Sequence, residues 1–138
     1  DAGFEAQARG IIVQYKGVDS FIASVNGELI YRAIENVIRN AITHTEAGTL
    51  VLVTAEIHDQ QLLLSIEDEG FGVPEAELET IFQPFSQSLT ATTRAGFGLG
   101  LAITRRAAEW HGGSATATNT ATGGLRVDIT IPGHPADQ

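Results

Sequence analysis

Leu62-Leu63-Leu64-Ser65-Ile66-Glu67-Asp68-Glu69-Gly70-Phe71-Gly72 is the stretch on which the reading of this chain turns. Side chains alternate across a strand, so Leu62, Leu64, Ile66 and Asp68 share one face. The first three are apolar and belong under a covering layer, which leaves Asp68 as a carboxylate at the end of a buried row. Such a group needs a hydrogen-bond donor, and the exocyclic amine of an adenine is one. Gly70 and Gly72 then let the backbone approach a flat ligand closely. An aspartate closing a solvated turn fits the same residues, because Asp-x-Gly is common in turns. One short motif does not choose between the two.

Upstream, Asn26 suits a helix N-cap and Glu28 a first turn. Leu29, Ile30, Ala33, Ile34, Val37, Ile38, Ala41 and Ile42 follow at the spacing of one helix face, to about His44. Asn36 and Asn40, four residues apart, lie on one side of that helix beside the apolar stripe. Their neutral oxygens, completed by phosphates and water, suit Mg²⁺, which rarely takes an all-protein cage. They serve equally as surface polar residues, although asparagine is a mediocre helix former. Downstream, Gly96-Phe97-Gly98-Leu99-Gly100 leads into a second helix over 99–111. Free amides at a helix N-terminus bind anions, and glycines let phosphates come close. A Walker loop is excluded by the missing Gly-Lys-Ser/Thr ending, and a dinucleotide fingerprint by Leu101 where its last glycine belongs. A flexible hinge is the competing reading.

The remaining segments read as strands at 10–15 and near 21–25, a hairpin of 50–57 and 62–67, and a short acidic helix near 75–81. Two closing strands follow at 114–119 and 125–131. Residues 83–95 carry Ser, Thr and Gln without an apolar period and read as a mobile loop. Without a regular βαβ rhythm, the pattern predicts α/β of the α+β kind, with helices layered on a largely antiparallel or mixed sheet.

The 138 residues fit one domain. Eight Lys+Arg against 17 Asp+Glu give a net charge of −9, which repels nucleic acid and anionic membrane surfaces. Lys16 is the single lysine, so phosphate binding must rest on backbone amides, a metal ion and a few arginines. There is no cysteine, hence no disulfide framework and no thiolate zinc site. No apolar run approaches the ~20 residues of a membrane span, and no secretory leader is visible. With no methionine anywhere, the chain reads as an excised domain.

The order and spacing of the three features are more specific than any one of them. Together they resemble the sensor histidine kinases of the GHKL superfamily, over about residues 10–131. Glu35-Asn36-Val37-Ile38-Arg39-Asn40, with Ala41 and His44, is similar to the N box, and Asp68 through Gly72 to the G1 box. Ile81-Phe82-Gln83-Pro84-Phe85 is similar to the F box, Gly96 through Gly100 with Leu101-Ala102-Ile103 to the G2 box, and Gly123-Gly124 to the last glycine pair.

The resemblance implies a sandwich of the Bergerat type, its mixed, mostly antiparallel sheet covered on one face by helices, under a mobile ATP lid at about 85–98. The tail is 132–138, and the dimerisation domain bearing the phosphoacceptor histidine lies outside the chain. Carried over by position, Asp68 holds the adenine amine, with Gly70 and Gly72 bordering the base and His44 stacking near it. Asn36 and Asn40 are the catalytic pair that places Mg²⁺ and the phosphates of ATP. Arg39 and Arg94 are candidate phosphate contacts. Gly96, Phe97, Gly98, Leu99 and Gly100 wrap the phosphate tail, while Phe82 and Phe85 pack the base of the lid. The implied activity is transfer of the γ-phosphoryl group to a histidine of the dimerisation domain, and onward to a response regulator. The implied setting is the cytoplasmic part of a bacterial inner-membrane sensor protein, with this domain making no direct membrane contact.

Thr43 stands where the family often has Lys or Arg, and Ser86-Gln87 where it often has Tyr-Arg. The related ATPases place a water-activating glutamate four residues before the metal asparagine. That position here is Asn36, and Glu35 points about 100° away around the helix. His44, His58, His111 and His134 lack a helical-hairpin context for an acceptor. Two other readings are a nucleotide-binding regulatory module with little transfer, and a serine kinase of the anti-sigma-factor type.

Overall fold

The structure, a computed structural model, describes residues 2–84 and 100–133. The helix expected after Asn26 is present as α2, Gly27–Thr43. Asn26 is extended, and its side chain accepts a hydrogen bond from the Leu29 amide at 3.0 Å. The apolar stripe buries Ala33, Val37, Ala41 and Ile42. At the other end, the His44 amide donates to Asn40 O.

Five strands form one sheet in the order β1-β2-β3-β5-β4. They are β1 (Ile12–Gly17), β2 (Leu50–His58), β3 (Gln61–Glu67), β4 (Ser114–Asn119) and β5 (Leu125–Pro132). All pairings are antiparallel except β1 with β2. That one is parallel because α2 lies between the two strands in sequence and carries the chain back over the sheet. The β2–β3 turn is the two-residue kind, with Asp59 and Gln60 at φ 50 and 63.

Alternation places the apolar residues in lateral rows on the inner face. Ala55, Leu64, Ile129 and Ala115 pair across four strands, and Val53, Ile66, Val127 and Ala117 form the next row. Helix α3 (Gly100–Trp110) lies antiparallel to α2 above these rows. Gly100 meets Asn36, Thr104 meets Ala33, and His111 meets Asn26. The expected α+β sandwich, with helices on one face of a mixed, mostly antiparallel sheet, is therefore the observed architecture.

Three details differ from the sequence reading. A helix not foreseen, α1 (Ala2–Arg9), buries Ala2 and Ala6 in the common core. It is short and nearly all its apolar residues are alanine, so its order comes from tertiary bonds. Residues 21–25 form no strand. Phe21 and Ala23 turn inward and Ile22 outward as alternation requires, but Phe21 packs beside Gly133 instead of finding a ladder partner. The acidic helix becomes two single 3-10 turns, Glu75–Glu77 and Thr80–Phe82. The expected lid at 85–98, with Arg94, Gly96, Phe97 and Gly98, and also Leu99, lies outside the described residues.

Candidate functional site

Asp68 continues the inner-face phase of Leu62, Leu64 and Ile66 one step beyond β3. Its amide donates to Leu125 O at 3.0 Å, which prolongs the β3–β5 ladder to this point. The side chain is only 5% exposed. Two backbone amides, those of Gly70 (2.9 Å) and Leu125 (3.0 Å), donate to the same oxygen, Oδ1. Burial pushes the carboxyl above its ordinary pKa, and the Leu125 and Gly70 amides offset part of that. The result is a carboxylate fixed in place through Oδ1, with Oδ2 taking neither of these bonds.

The glycines around it have structural reasons of their own. A Cβ on Gly70 would stand 2.1 Å from His44 O, and one on Gly124 would stand 2.0 Å from Asp68 O. Gly72 has φ +67, and a Cβ there would press on Asn119 Oδ1 and Gly123 O. The fold itself thus requires glycine at 70 and 72, beside the ligand approach expected of them. The space is taken by the protein's own atoms, where the C-terminal end of α2, the 68–74 turn and the 120–124 turn come together around Asp68.

Asn36 and Asn40 sit half-buried one turn apart on α2. The Asn36 amide donates through Nδ2 to Gly100 O at 3.4 Å, so the first turn of α3 lies against it. Among the described residues no three His, Cys, Asp or Glu side chains cluster as a metal cage. A pair of neutral amide oxygens beside a helix N-terminus fits the other kind of site. There a magnesium ion takes one or two protein oxygens and completes its shell from phosphates and water.

Arg39 is engaged elsewhere: its Nε donates to Glu5 at 2.9 Å and its Nη2 to Glu35 at 3.4 Å. Glu35 also accepts from the Tyr31 hydroxyl at 2.8 Å, and that bond raises the pKa of the phenol. Glu35 is thereby held in a surface network with Tyr31 and Arg39. His44 caps α2, half-buried, with its carbonyl against Gly70. Of the four histidines, His58 pairs with Glu56 in a hairpin and His111 ends α3. His134 lies outside the described residues.

Three residues that sequence reasoning missed help build the site. Asn119 follows Ala115 and Ala117 on the inner face of β4, and its amide clasps Val73, accepting from N at 3.0 Å and donating to O at 2.7 Å. Its inward phase at a strand end was the available signal. Arg9 donates to Ile42 O and Thr45 O, covering carbonyls at the end of α2. Arg105 forms a two-pronged bond to Glu79 at 2.8 and 3.0 Å and lies 4.1 Å over the Phe82 ring. The hydrogen bonds and charge of Arg105 lower the Glu79 pKa. Phe82 is buried, in keeping with a packing role.

Residues 25–135 match the profile of the histidine kinase-, DNA gyrase B- and HSP90-like ATPases. The sensor-type histidine kinase PrrB of Mycobacterium tuberculosis is 41% identical over 101 residues, 73% of this chain and 22% of PrrB. The sensor protein PfeS of Pseudomonas aeruginosa is 41% identical over 116 residues, 84% of this chain and 25% of PfeS. The chain thus spans about a quarter of the length of these relatives. The solved structure of the mycobacterial sensor histidine kinase MprB superposes with a TM-score of 0.81 at 28% identity, covering 96% of this chain and 91% of that one.

Proposed function

The chain belongs to the histidine kinase-, DNA gyrase B- and HSP90-like ATPases, and from that premise we propose that it is the ATP-binding catalytic domain of a sensor histidine kinase. In this reading it binds Mg·ATP and donates the γ-phosphoryl group to a histidine on a dimerisation domain outside the chain. The same protein then phosphorylates a response regulator. The observation that carries the nucleotide assignment is Asp68: buried, fixed through Oδ1 by two amides, and placed where the end of α2 meets the 68–74 and 120–124 turns. Oδ2 is the acceptor for an adenine amine.

Asn36 and Asn40 hold the magnesium ion, which when bound neutralises charge on the phosphates. The amides at the start of α3, with Gly96, Gly98, Gly100 and Arg94, receive the phosphate tail. His44, whose carbonyl lies against Gly70, borders the adenine in this reading. Arg39 reaches a phosphate only by leaving Glu5 and Glu35, and it is not among these contacts. Phosphoryl transfer requires mainly positioning and charge neutralisation. Asn36 cannot serve as a general base, and Glu35 is tied to Tyr31 and Arg39. The reading therefore places the nucleophile on another domain, and an imidazole needs less activation than water. The domain works on the cytoplasmic side of a bacterial sensor protein.

Calorimetric titration of the chain with ATP, in Mg²⁺ and in a chelator, tests the reading. Saturable binding that tightens with Mg²⁺ supports it, and the absence of binding to ATP overturns it.

A further inference from the structure

Thr104 is the fully buried hydroxyl of α3, with 0% of its surface exposed. A threonine inside a helix carries a small propensity cost, and a buried hydroxyl costs more unless it is bonded. Its Oγ1 lies 2.8 Å from Ala33 O on α2 and 3.0 Å from Gly100 O on its own helix. A hydroxyl has one proton, so it serves these two carbonyls alternately or by sharing. The first bond crosses between helices that bring together residues 71 apart in the chain. The second meets the carbonyl that also receives the Asn36 amide.

These contacts form a short chain with a direction. Thr104 ties the first turn of α3 to the middle of α2, and so fixes where Gly100 O stands. Gly100 O accepts from Asn36 Nδ2, which decides how the Asn36 amide is turned. With Nδ2 donating there, Oδ1 is the amide atom that takes no part in this bond. An amide oxygen is a magnesium ligand and an amide nitrogen is not, so the orientation of this one group matters to a metal site.

We infer that Thr104 is a positioning residue for the metal–nucleotide site: through Gly100 O it holds the Asn36 amide with its oxygen toward the metal. The inference rests on the nucleotide-binding reading above. Valine at this position keeps the shape and removes only the hydroxyl, so Thr104→Val separates orientation from packing, and Thr104→Ser restores the hydroxyl.

The test has two readouts on the 138-residue chain. In the first, without nucleotide or metal, the side-chain amide resonances of Asn36 are followed by NMR. They shift in Thr104→Val and return toward wild type in Thr104→Ser. In the second, ATP affinity is measured in Mg²⁺ and in chelator. Thr104→Val lowers the gain given by Mg²⁺ about threefold to tenfold, the worth of one hydrogen bond. Its metal-free affinity stays unchanged, and in an Asn36→Ala background the same change has no further effect. Unmoved Asn36 resonances in Thr104→Val, or an unaltered Mg²⁺ gain, overturns the inference. So does an equal loss in both Mg²⁺ and chelator, which marks a packing role alone. A wild-type chain that binds no ATP while its Asn36 resonances still respond to Thr104→Val overturns the nucleotide reading and leaves the Thr104–Asn36 linkage standing.

Discussion

In the proposed site, replacing Asp68 by asparagine sets a donor–acceptor conflict with the adenine amine. In the wild type, Oδ1 accepts from the Gly70 and Leu125 amides at 2.9 and 3.0 Å. An asparagine can keep its carbonyl oxygen in that place, and the turn survives. Its NH₂ then occupies the Oδ2 position and meets the adenine amine donor against donor. The flipped rotamer offers its oxygen to the adenine but turns the NH₂ toward two backbone N–H groups, which strands the turn instead. A hydrogen bond to a charged group contributes roughly 1.5–3 kcal/mol, so ATP affinity should fall about tenfold to a hundredfold. Thermal stability should hold or rise slightly, because a buried charge is removed while the turn keeps its bonds. Guanine presents a carbonyl where adenine presents its amine, so the ratio of ATP to GTP affinity should fall as well. Mere damage to the fold would not produce that change in ratio. Isothermal titration with ATP and GTP, beside thermal unfolding, measures all three quantities. Equal ATP affinity for wild type and Asp68→Asn would refute the assignment of the carboxylate to the base.

Burial holds the Asp68 pKa above its unfolded value. The group's contribution to stability is therefore present below the unfolded pKa and lost as pH rises through the folded one. Nucleotide affinity runs the opposite way, since the bond to adenine needs the carboxylate. ATP binding should weaken on acidification before ordinary carboxylates titrate, and a matching pH series on Asp68→Asn should be flat through that window. Gly70→Ala places a Cβ 2.1 Å from His44 O and should cost about 1–3 kcal/mol in urea unfolding. An unchanged midpoint would contradict the close approach. Arg39→Gln removes two half-exposed ion pairs and should change stability by less than about 1 kcal/mol. ATP affinity should stay within about twofold, because the guanidinium is held by Glu5 and Glu35, and a tenfold loss would return Arg39 to the phosphates.

The elements that could be read from sequence are those whose order is written locally. Helix α2 carries its own cap at Asn26 and a continuous stripe from Leu29 to Ile42. The β2–β3 hairpin and the β4–β5 pair carry clean alternation, and Asp68 was legible because it continues that alternation past the strand end. What could not be read depends on partners far away in the chain. Helix α1 is held by Arg9 at the end of α2 and by the Glu5–Arg39 pair, and no period in eight residues announces that. Residues 21–25 have the composition of a strand, but a strand exists only with a ladder, and Phe21 is drawn to Gly133 instead. The same limit explains Arg39. Its place in the N-box motif suggests a phosphate, while its neighbours in space are two carboxylates. Nor does the motif announce what the fold itself asks of Gly70 and Gly72, since the atoms crowding them belong to His44, Asn119 and Gly123.

The central claim is that this chain is one half of a phosphotransfer reaction, and turnover of radiolabelled ATP tests it most directly. General-base assistance typically supplies about 10²–10⁴-fold in rate. Asn36 provides none and Glu35 is tied to Tyr31 and Arg39, so hydrolysis by the chain alone should stay near background. Adding the matching dimerisation domain should yield a labelled protein whose phosphate is acid-labile and base-stable, as for phosphohistidine. Brisk hydrolysis by the 138-residue chain alone, or acid-stable labelling of the added protein, would contradict the account.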